Sequence, residues 1–364
     1  MKKSYLLILL PLFALSFGNT VCGQSTGKMK YTDARELMLL GKGFDVTESY
    51  YSRLPLSGKD GFRKELWSLA KNSAGLAVRF SSNSTSIAVR WTVMTNMSMN
   101  HMAATGIKGV DLYALENGKW YFVGTARPTD KENNAVVIKN MTAKQREYIA
   151  YLPLYDGTES LSFGVDSLAT IGMPQERVLL KSDDGGAILF YGTSITQGGC
   201  ASRPGMAYTA ILGRMLQRET INLGFSGNGR MDKSMAEAIC KVSAQTVVLD
   251  CLPNTNAQIV RDSAYNFIRI ILDAKPGVKI YMVENPIFPT LKFDQKTAAE
   301  LSEENIEWRT VYQKLKKEKF RNVYFIPGAK LAGCDGEGTV DGVHMTDLGF
   351  LRYAEEFAKR LVAR

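Results

Sequence analysis

The rhythm of apolar and polar residues changes once along this chain, near residue 186, and that change most constrains the fold. Beyond it, short apolar segments alternate with segments whose apolar residues recur at helical spacing. Strands that are apolar on both faces are typical of a parallel sheet covered by helices on each side. The predicted strands are Ala187–Tyr191, Thr220–Leu223, Thr246–Leu252, Lys279–Val283 and Val323–Ile326. The predicted helices are Ala207–Arg218, Met231–Val242, Ala257–Ala274, Lys296–Lys319 and Asp347–Val362.

Before residue 186 the pattern is one of short strands separated by turn-forming residues. Many of these strands alternate apolar with polar residues, which predicts an antiparallel β-sandwich. They are Leu76–Phe80, Ser86–Val93, Gly109–Leu115, Trp120–Ala126, Ala135–Ile138, Tyr148–Leu152 and Leu161–Val165. Ahead of them, Thr32–Leu40 is predicted to be a short helix or an approach segment. The sequence thus predicts a β-sandwich domain at 24–180 and an α/β domain at 186–364, with Met173–Gly186 as the linker.

The first 23 residues have the features of a secretory signal peptide. Lys2 and Lys3 precede an apolar run over Tyr5–Phe17, which is short for a membrane-spanning helix. The mature chain is predicted to begin at Gln24 and to be exported, to the periplasm or the cell exterior. The alternative is a lipid anchor at Cys22 that holds the protein at the cell envelope, although bulky Val21 before that cysteine disfavours it.

Charge and residue counts exclude several classes of function. The net charge is +9, and loss of the two lysines in segment 1–23 leaves +7. No run of Lys and Arg is clustered, so we expect a mildly basic surface without a nucleic-acid partner rather than a site for an acidic polymer. The chain has two histidines, His101 and His344. A multi-histidine metal site is therefore nearly excluded, and no metal or other cofactor is predicted.

The four cysteines left after processing do not identify a site by themselves. In an exported protein they can oxidise, and four cysteines allow three full pairings between which the sequence does not choose. No C-x-x-C motif occurs, which argues against a redox or zinc-ribbon role. The residues concerned are Cys200, Cys240, Cys251 and Cys334.

Chemically capable residues follow three of the predicted strands, where ligands of a parallel sheet bind. Ser194 comes directly after the first strand in Gly-Thr-Ser-Ile-Thr, a setting that exposes a nucleophilic hydroxyl, although a serine there can equally cap a helix. Gly227 lies in a glycine-rich loop after the second strand, and Asn254 follows the third. Backbone N–H groups and an Asn amide are suitable donors to the oxyanion of acyl transfer, while each loop taken alone is more simply a connection.

Near the C-terminus, Asp341 and His344 stand three residues apart on a turn before the last helix. In this arrangement a carboxylate can fix the imidazole tautomer and stabilise the cation formed when the base takes a serine proton. The alternative is a capping or surface histidine. With so few histidines in the chain, the sequence favours the catalytic role.

The ordered set Ser194, Gly227, Asn254 and Asp341/His344 resembles the SGNH (GDSL-like) hydrolase superfamily, over roughly residues 186–364. The resemblance implies a three-layer α/β/α domain. It also implies Ser194 as nucleophile, His344 as base behind which Asp341 lies, and an oxyanion hole made by Ser194, Gly227 and Asn254. Two positions depart from the common pattern and leave the subfamily open. Thr193 stands where many members have Asp, and the block ending in Asn254 lacks the usual Gly-x-Asn-Asp.

The upstream half is similar to a second known domain. Gly109-Val-Asp-Leu-Tyr113 resembles the G-x-D-L-Y signature of a β domain, jelly-roll-like in architecture, that precedes such esterases. Two residues are candidates for substrate binding. His101 could reach the active site from a loop, although a structural role is the commoner one for such a histidine. Arg203 could hold a polar or acidic substrate group, with an ordinary surface arginine as the alternative.

The sequence therefore predicts a metal-independent serine esterase that acts on a small-molecule or glycan ester. By family analogy the bond is an O-acetyl ester on a carbohydrate. A lipase or acylhydrolase acting on lipid or small acyl esters is the enzymatic alternative. A glycan-binding protein with vestigial catalysis is the alternative from another class. The absence of G-x-S-x-G and of G-x-x-x-x-G-K-[ST] argues against an α/β-hydrolase and a P-loop NTPase.

Overall fold

The predicted fold class is confirmed by a computed structural model, which describes residues 28–174 and 186–362. A five-stranded parallel sheet with helices on both faces follows two antiparallel sheets. The predicted signal peptide 1–23 and the centre of the predicted linker lie outside the described residues. Within residues 28–174 and 186–362, no helix combines the length and the apolar character that a membrane crossing requires.

The N-terminal part is a β-sandwich whose two sheets run in the orders β1-β9-β4-β7 and β10-β3-β8-β5-β6, with β2 paired to β3. Its strands are β1 (Met29–Asp33), β2 (Met38–Leu40), β3 (Ala77–Ser82), β4 (Ile87–Val93), β5 (Val110–Glu116), β6 (Lys119–Ala126), β7 (Glu132–Ile138), β8 (Arg146–Tyr151), β9 (Thr158–Asp166) and β10 (Ile171–Gly172). Its helices are α1 (Lys64–Leu69) and α2 (Ala104–Lys108). Alternate side chains point inward, so Phe80, Trp91 and Phe163 form a shared core between the sheets.

Of the two alternatives predicted for Thr32–Leu40, a short helix or an approach segment, the helix is wrong. This stretch contains the end of β1, a single 3-10 turn over Ala34–Glu36, and β2. The carboxylate of Asp33 accepts a hydrogen bond from the Arg35 N–H at 2.8 Å, which favours a local turn over a longer helix. Pairing of the flanking residues with β9 and β3 then outweighs helical propensity.

The parallel sheet has the strand order β12-β11-β13-β14-β15. Its strands are β11 (Ala187–Gly192), β12 (Thr220–Gly224), β13 (Ala244–Asp250), β14 (Lys279–Val283) and β15 (Val323–Ile326). Its helices are α3 (Ser194–Gln197), α4 (Tyr208–Leu216), α5 (Lys233–Lys241), α6 (Ala257–Ile259), α7 (Tyr265–Ala274), α8 (Gln295–Lys317) and α9 (Asp347–Val362), with a π turn over Val260–Ala264 between α6 and α7. After β11 the chain forms β12 on one side of that strand and then β13 on its other side. The strand order reverses at β11, so a crevice opens at the carboxyl end of this strand.

Side chains of β11 pack against both helical layers. Leu189 and Tyr191 lie in one core with residues of α5, α7 and α8, while Ile188 and Phe190 lie in a second core with residues of α4 and α9. This two-sided burial is what a wholly apolar strand requires.

The segment between β2 and β3 packs against the parallel sheet as well as against the sandwich, whose core includes Tyr51. Phe62 and Leu66 share a core with Leu223 of β12. Arg53 is buried and donates to the carbonyl of Gly224 at 2.7 Å, and burial lowers the pKa of its guanidinium to about 9. The two parts of the chain are thus joined by a continuous core near the end of β12.

Candidate active site

The candidate nucleophile lies on the turn that joins β11 to α3. Ser194 is the first residue of the short helix α3, and the Thr193 hydroxyl caps that helix by accepting the Ile195 N–H at 3.1 Å. The turn is tight because β11 ends in a glycine, where a Cβ would lie 2.0 Å from Thr196 Oγ1. This packing delivers the serine hydroxyl to the crevice at the carboxyl end of β11.

The backbone of Ser194 is held by three donors to its carbonyl oxygen. The N–H groups of Gly198 and Gly199 lie 3.0 and 2.7 Å away, and the buried Tyr155 hydroxyl donates at 3.3 Å. Gly198 adopts φ 107°, a conformation that favours glycine and ends α3 after one turn. The backbone that carries the serine hydroxyl is therefore held in place by the turn that follows it.

The candidate base lies on a loop before α9 that is ordered by its own hydrogen bonds. Asp341 Oδ1 accepts the N–H groups of Val343 and His344 at 3.0 and 2.8 Å. The loop is closed by the Val340 N–H, which donates to the His344 carbonyl at 2.8 Å. Spacing of three residues thus brings the carboxylate and the imidazole together within one turn.

A hydrogen-bonded chain joins the three side chains. Asp341 Oδ2 lies 2.7 Å from His344 Nδ1, and His344 Nε2 lies 2.9 Å from Ser194 Oγ. Burial disfavours the charged form of Asp341, but hydrogen bonds from the His344 ring, the His344 N–H and the Val343 N–H outweigh it and lower the pKa of this carboxyl. An ionised Asp341 requires the proton on Nδ1, which leaves Nε2 as the acceptor for the serine proton.

The predicted oxyanion donors lie on two loops that pack against the same strand end. Gly227 is exposed at φ 68°, and a Cβ there would meet no atom within 4 Å, so its backbone is open to a ligand. Gly229 donates its N–H to Asn254 Oδ1 at 3.2 Å, which orients the amide and joins the two loops. A Cβ on Gly229 would lie 2.5 Å from the carbonyl of Gly192, so this loop sits directly on the nucleophile turn. The oxyanion role of Gly227 and Asn254 stays a prediction.

His101 reaches this site from the loop between β4 and α2. Its ring centroid lies 5.6 Å from that of His344, and Asn100 Oδ1 lies 3.1 Å from its Nδ1. The sandwich therefore contributes a side chain to the wall of the catalytic crevice. This position is compatible with the predicted contact to substrate, which stays a prediction. The two histidines thus lie side by side, although their small number argued against a multi-histidine metal site.

Arg203 is engaged by the sandwich domain instead of being open to a ligand. Its Nη1 lies 2.7 Å from Asp111 Oδ2 and 2.5 Å from the Tyr113 hydroxyl, and the guanidinium lies 3.9 Å from the ring centroid of Phe122. Asp111 and Tyr113 are the Asp and Tyr of the Gly-Val-Asp-Leu-Tyr motif. These contacts give Arg203 a structural task between the domains and do not support the predicted substrate contact.

Sequence reasoning missed several residues that shape the site. A Cβ on Gly199 would lie 3.1 Å from the Cδ2 atom of His344, so a glycine is needed under the imidazole. Cys200 adopts φ 71°, and burial raises the pKa of its thiol to about 12. Asp250 is buried at the end of β13, where it accepts a hydrogen bond from Tyr208 at 2.8 Å. The Gly198-Gly199 pair, four and five residues after Ser194, is the sequence signal that could have pointed to this tight packing.

Similarity to known proteins agrees with this geometry. Residues 186–362 match a family model described as GDSL-like lipase/acylhydrolase, and residues 29–171 match one described as the N-terminus of SGNH-hydrolase-type esterases, GxDLY. A comparison with curated proteins gives no significant match.

Solved structures extend this similarity to nearly the whole chain. A GDSL-like lipase from Bacteroides ovatus is 35% identical, with a TM-score of 0.87 over 92% of this chain and 97% of that chain. Two more distant structures share the fold. An acetyl xylan esterase from the rumen bacterium Butyrivibrio proteoclasticus is 12% identical, with a TM-score of 0.55 over 92% of this chain and 97% of that one. A family two carbohydrate esterase from Clostridium thermocellum, solved with cellohexaose, is 13% identical, with a TM-score of 0.56 over 79% and 92%.

Proposed function

Since the chain belongs to the GDSL-like lipase/acylhydrolase family and is a carboxylic ester hydrolase, we propose that it is an exported serine esterase that removes O-acetyl groups from carbohydrates. The observation that carries the catalytic part is the chain of contacts from Asp341 through His344 to Ser194, at 2.7 and 2.9 Å. These are working distances for a nucleophile, its base and the group that orients the base.

In the first half-reaction the Ser194 oxygen attacks the ester carbonyl carbon while His344 Nε2 takes the hydroxyl proton. The carbonyl oxygen becomes an oxyanion, and Asp341 stabilises the imidazolium across the ring. As the intermediate collapses, the bond to the sugar oxygen breaks and His344 returns the proton to that oxygen. The products are the free sugar hydroxyl and an acetyl group bonded to Ser194.

In the second half-reaction a water molecule attacks the acyl carbon and gives a proton to His344. The tetrahedral intermediate then breaks at the Ser194 oxygen, which recovers the proton as acetate leaves. Both intermediates carry a negative oxygen, for which the N–H groups of Ser194 and Gly227 and the Asn254 amide are the proposed donors. Donors fixed before reaction act most strongly, because no reorganisation is needed as the charge develops.

Support for a carbohydrate substrate comes from the polar side chains around the crevice and from the relatives that share the fold. His101 and Asn100 extend from the sandwich towards the catalytic imidazole and offer donors and acceptors to sugar hydroxyls. The Butyrivibrio relative acts on acetyl xylan and the Clostridium relative binds cellohexaose, according to their names. Export, proposed from segment 1–23, would bring the enzyme to polymeric glycans.

An apolar groove favours a second substrate class, a longer acyl or aryl ester. It is lined by Ile287, Phe288, Leu291, Phe293 and Ala332. A Cβ on Gly342 would lie 2.7 Å from Thr290 Cγ2, so the segment that carries this groove touches the catalytic loop. Ile287 and Phe293 are 57% and 80% exposed, so two large apolar side chains of this groove face the solvent, where an acyl or aryl group could cover them.

The test is product release by the purified mature chain from acetylated oligosaccharides, an aryl acetate and an aryl octanoate. Wild type is compared with Ser194→Ala and with Ser243→Ala, which alters an exposed serine. We expect acetate release from the sugar ester, lost in Ser194→Ala and kept in Ser243→Ala. Faster turnover of octanoate than of either acetate would favour the lipase alternative. No release from any ester, with the oligosaccharide still bound, would favour the glycan-binding alternative.

A further inference from the structure

The two histidines of the chain lie beside Cys200 and Asp341 in one cluster. One ligand atom from each of the four residues lies within 4.8 Å of every other: a ring nitrogen of His101 and of His344, the Cys200 sulfur and a carboxylate oxygen of Asp341. We propose that this cluster binds a zinc ion and that binding reversibly inhibits the esterase. The proposed zinc site shares His344 and Asp341 with the hydrolytic site, but the ion would inhibit the reaction, because the proposed hydrolysis needs no metal.

The donor set suits zinc and does not suit Mg²⁺ or Ca²⁺. Two imidazole nitrogens, one sulfur and one carboxylate oxygen are the atom types that Zn²⁺ binds in four-coordinate sites. Bond lengths of about 2.0–2.3 Å place neighbouring ligands of a tetrahedral site roughly 3.3–3.8 Å apart. The four atoms are near enough for small rotations of the side chains to reach that spacing. Mg²⁺ and Ca²⁺ prefer oxygen ligands and larger coordination numbers.

Three separate segments bring the ligands together. His101 comes from the β4–α2 loop, Cys200 follows α3, and the other two come from the loop before α9. The Cys200 segment is anchored on both sides, since the Ala201 N–H donates to Gly198 at 3.1 Å and the Thr105 hydroxyl donates to Ser202 at 2.6 Å. The cluster is therefore assembled by the fold before any ion arrives, and it exists only when sandwich and α/β domain are in contact.

Inhibition follows from the identity of two of the ligands. A metal on His344 Nε2 would occupy the atom that takes the serine proton. A metal on Nδ1 would break the hydrogen bond to Asp341. A metal on Asp341 removes the carboxylate that stabilises the imidazolium. In each case His344 no longer takes the proton of Ser194. This consequence rests on the proposed function, whereas zinc binding itself does not.

Binding is measured directly, without reference to activity. Purified chain is titrated with Zn²⁺ by calorimetry, and with Co²⁺ by absorption spectroscopy, where a cobalt–thiolate bond gives a charge-transfer band. We expect one ion per chain and a cobalt–thiolate band in wild type. Cys200→Ala should abolish the band, and Cys200→Ala and His101→Ala should each weaken zinc at least about tenfold, since loss of even an outer partner costs that much. Cys334→Ser, which alters an exposed cysteine outside the cluster, is the matched control and should bind as wild type does.

The activity arm uses aryl acetate hydrolysis with Zn²⁺, Mg²⁺ and a chelator. We expect zinc to inhibit wild type and Cys334→Ser, the chelator to restore the rate, and Mg²⁺ to have no effect. Cys200→Ala should show a cooperative thermal unfolding transition, which shows that it is folded, and zinc should not lower its rate below the rate of the same variant without metal. Unchanged zinc affinity in Cys200→Ala, or absence of binding to wild type, would overturn the proposed site. Binding without loss of activity would overturn the inhibition. If no variant hydrolyses esters, the calorimetric result still decides the site.

Discussion

The Asp111 carboxylate lies 2.7 Å from Arg203 Nη1, so the Gly-Val-Asp-Leu-Tyr motif is bonded to the segment that follows the nucleophile. Asp111 is fully buried, and its Oδ2 also accepts the Gly205 N–H at 2.9 Å. A charge in this position is costly unless it is satisfied. The Arg203 guanidinium and the Gly205 N–H do so at Oδ2, and the Thr125 hydroxyl donates to Oδ1 at 3.0 Å. The motif thus connects the two domains through hydrogen bonds. These bonds also fix the segment after Cys200 to the sandwich domain.

Removing the charge of this joint should destabilise the protein. We expect Asp111→Asn to lower the free energy of unfolding by on the order of 3 kcal/mol, because it leaves the largely buried Arg203 without its counter-ion. Denaturant titration measures the change. The matched control is Glu116→Gln on the same strand, whose side chain is 31% exposed and pairs with exposed Lys144 and partly buried Arg146. Glu116→Gln should lower the free energy of unfolding by less than about 1 kcal/mol. Equal effects of the two substitutions would contradict the structural role of the joint.

Loss of the proposed oxyanion amide should lower turnover more than binding. Asn254→Ala is expected to reduce kcat about 10² to 10³-fold with little change in KM, since the donor acts on charge that develops in the transition state. Asn256→Ala is the comparison, because the Asn256 side chain caps α6 by accepting the Ile259 N–H at 2.9 Å. It should cost about 1 kcal/mol of stability and leave kcat unchanged. A normal kcat in Asn254→Ala would exclude this residue from the oxyanion hole.

The glycine beneath the imidazole should be required for the position of the base. A Cβ on Gly199 would lie 2.8 Å from the Tyr155 hydroxyl and 3.1 Å from His344 Cδ2. We expect Gly199→Ala to lower kcat about 10²-fold by displacing the base, and to cost about 1–3 kcal/mol of stability because buried Tyr155 must shift. Gly277→Ala, where an added Cβ meets no atom within 4 Å, should leave kcat as it is. Wild-type kinetics in Gly199→Ala would mean that His344 does not depend on this contact.

A buried carboxyl below the nucleophile should make stability depend on pH. Burial raises the pKa of Asp250 to about 7, although hydrogen bonds from Tyr208 and Thr196 oppose the rise. An acid whose pKa is raised on folding holds its proton more tightly in the folded state. Asp250 therefore lowers the free energy of unfolding progressively as the pH rises from about 4 to about 7. Above pH 7 its contribution is constant.

Asp250→Asn should remove this dependence. The free energy of unfolding of the variant minus that of wild type is expected to be roughly 3 kcal/mol larger at pH 8 than at pH 5. Urea titrations of both proteins at the two pH values measure the difference, and other titrating groups cancel in the comparison. A difference between the proteins that does not change with pH would show that Asp250 does not titrate in this range.

Local sequence patterns predicted most of the α/β domain. The strands Lys279–Val283 and Val323–Ile326 and the helix Asp347–Val362 have the predicted bounds, because continuous apolar runs and clear helical spacing agree with the final burial. Ser194, Asp341 and His344 were identified from strand ends and spacing, and the structure brings them within hydrogen-bond distance. These features are local, so a single sequence carries them.

Contacts between distant parts of the chain could not be predicted in this way. Asp111 and Arg203 were each singled out, yet their pairing depends on how the domains dock. The approach of His101 to His344 likewise depends on that docking, so the sequence offered it only as one of two alternatives. Thr32–Leu40 was misjudged because its strand pairing is made with residues more than 35 positions away.

The central claim is that Ser194 is the nucleophile, and covalent labelling tests it most directly. The purified chain is treated with a fluorophosphonate, a reagent that bonds to activated serine hydroxyls, and the labelled peptide is identified by mass spectrometry. We predict one label per chain on Ser194, no label in Ser194→Ala, and slow labelling in His344→Ala because the base is missing. A chain that stays unlabelled, or that carries the label on another serine, would contradict the account.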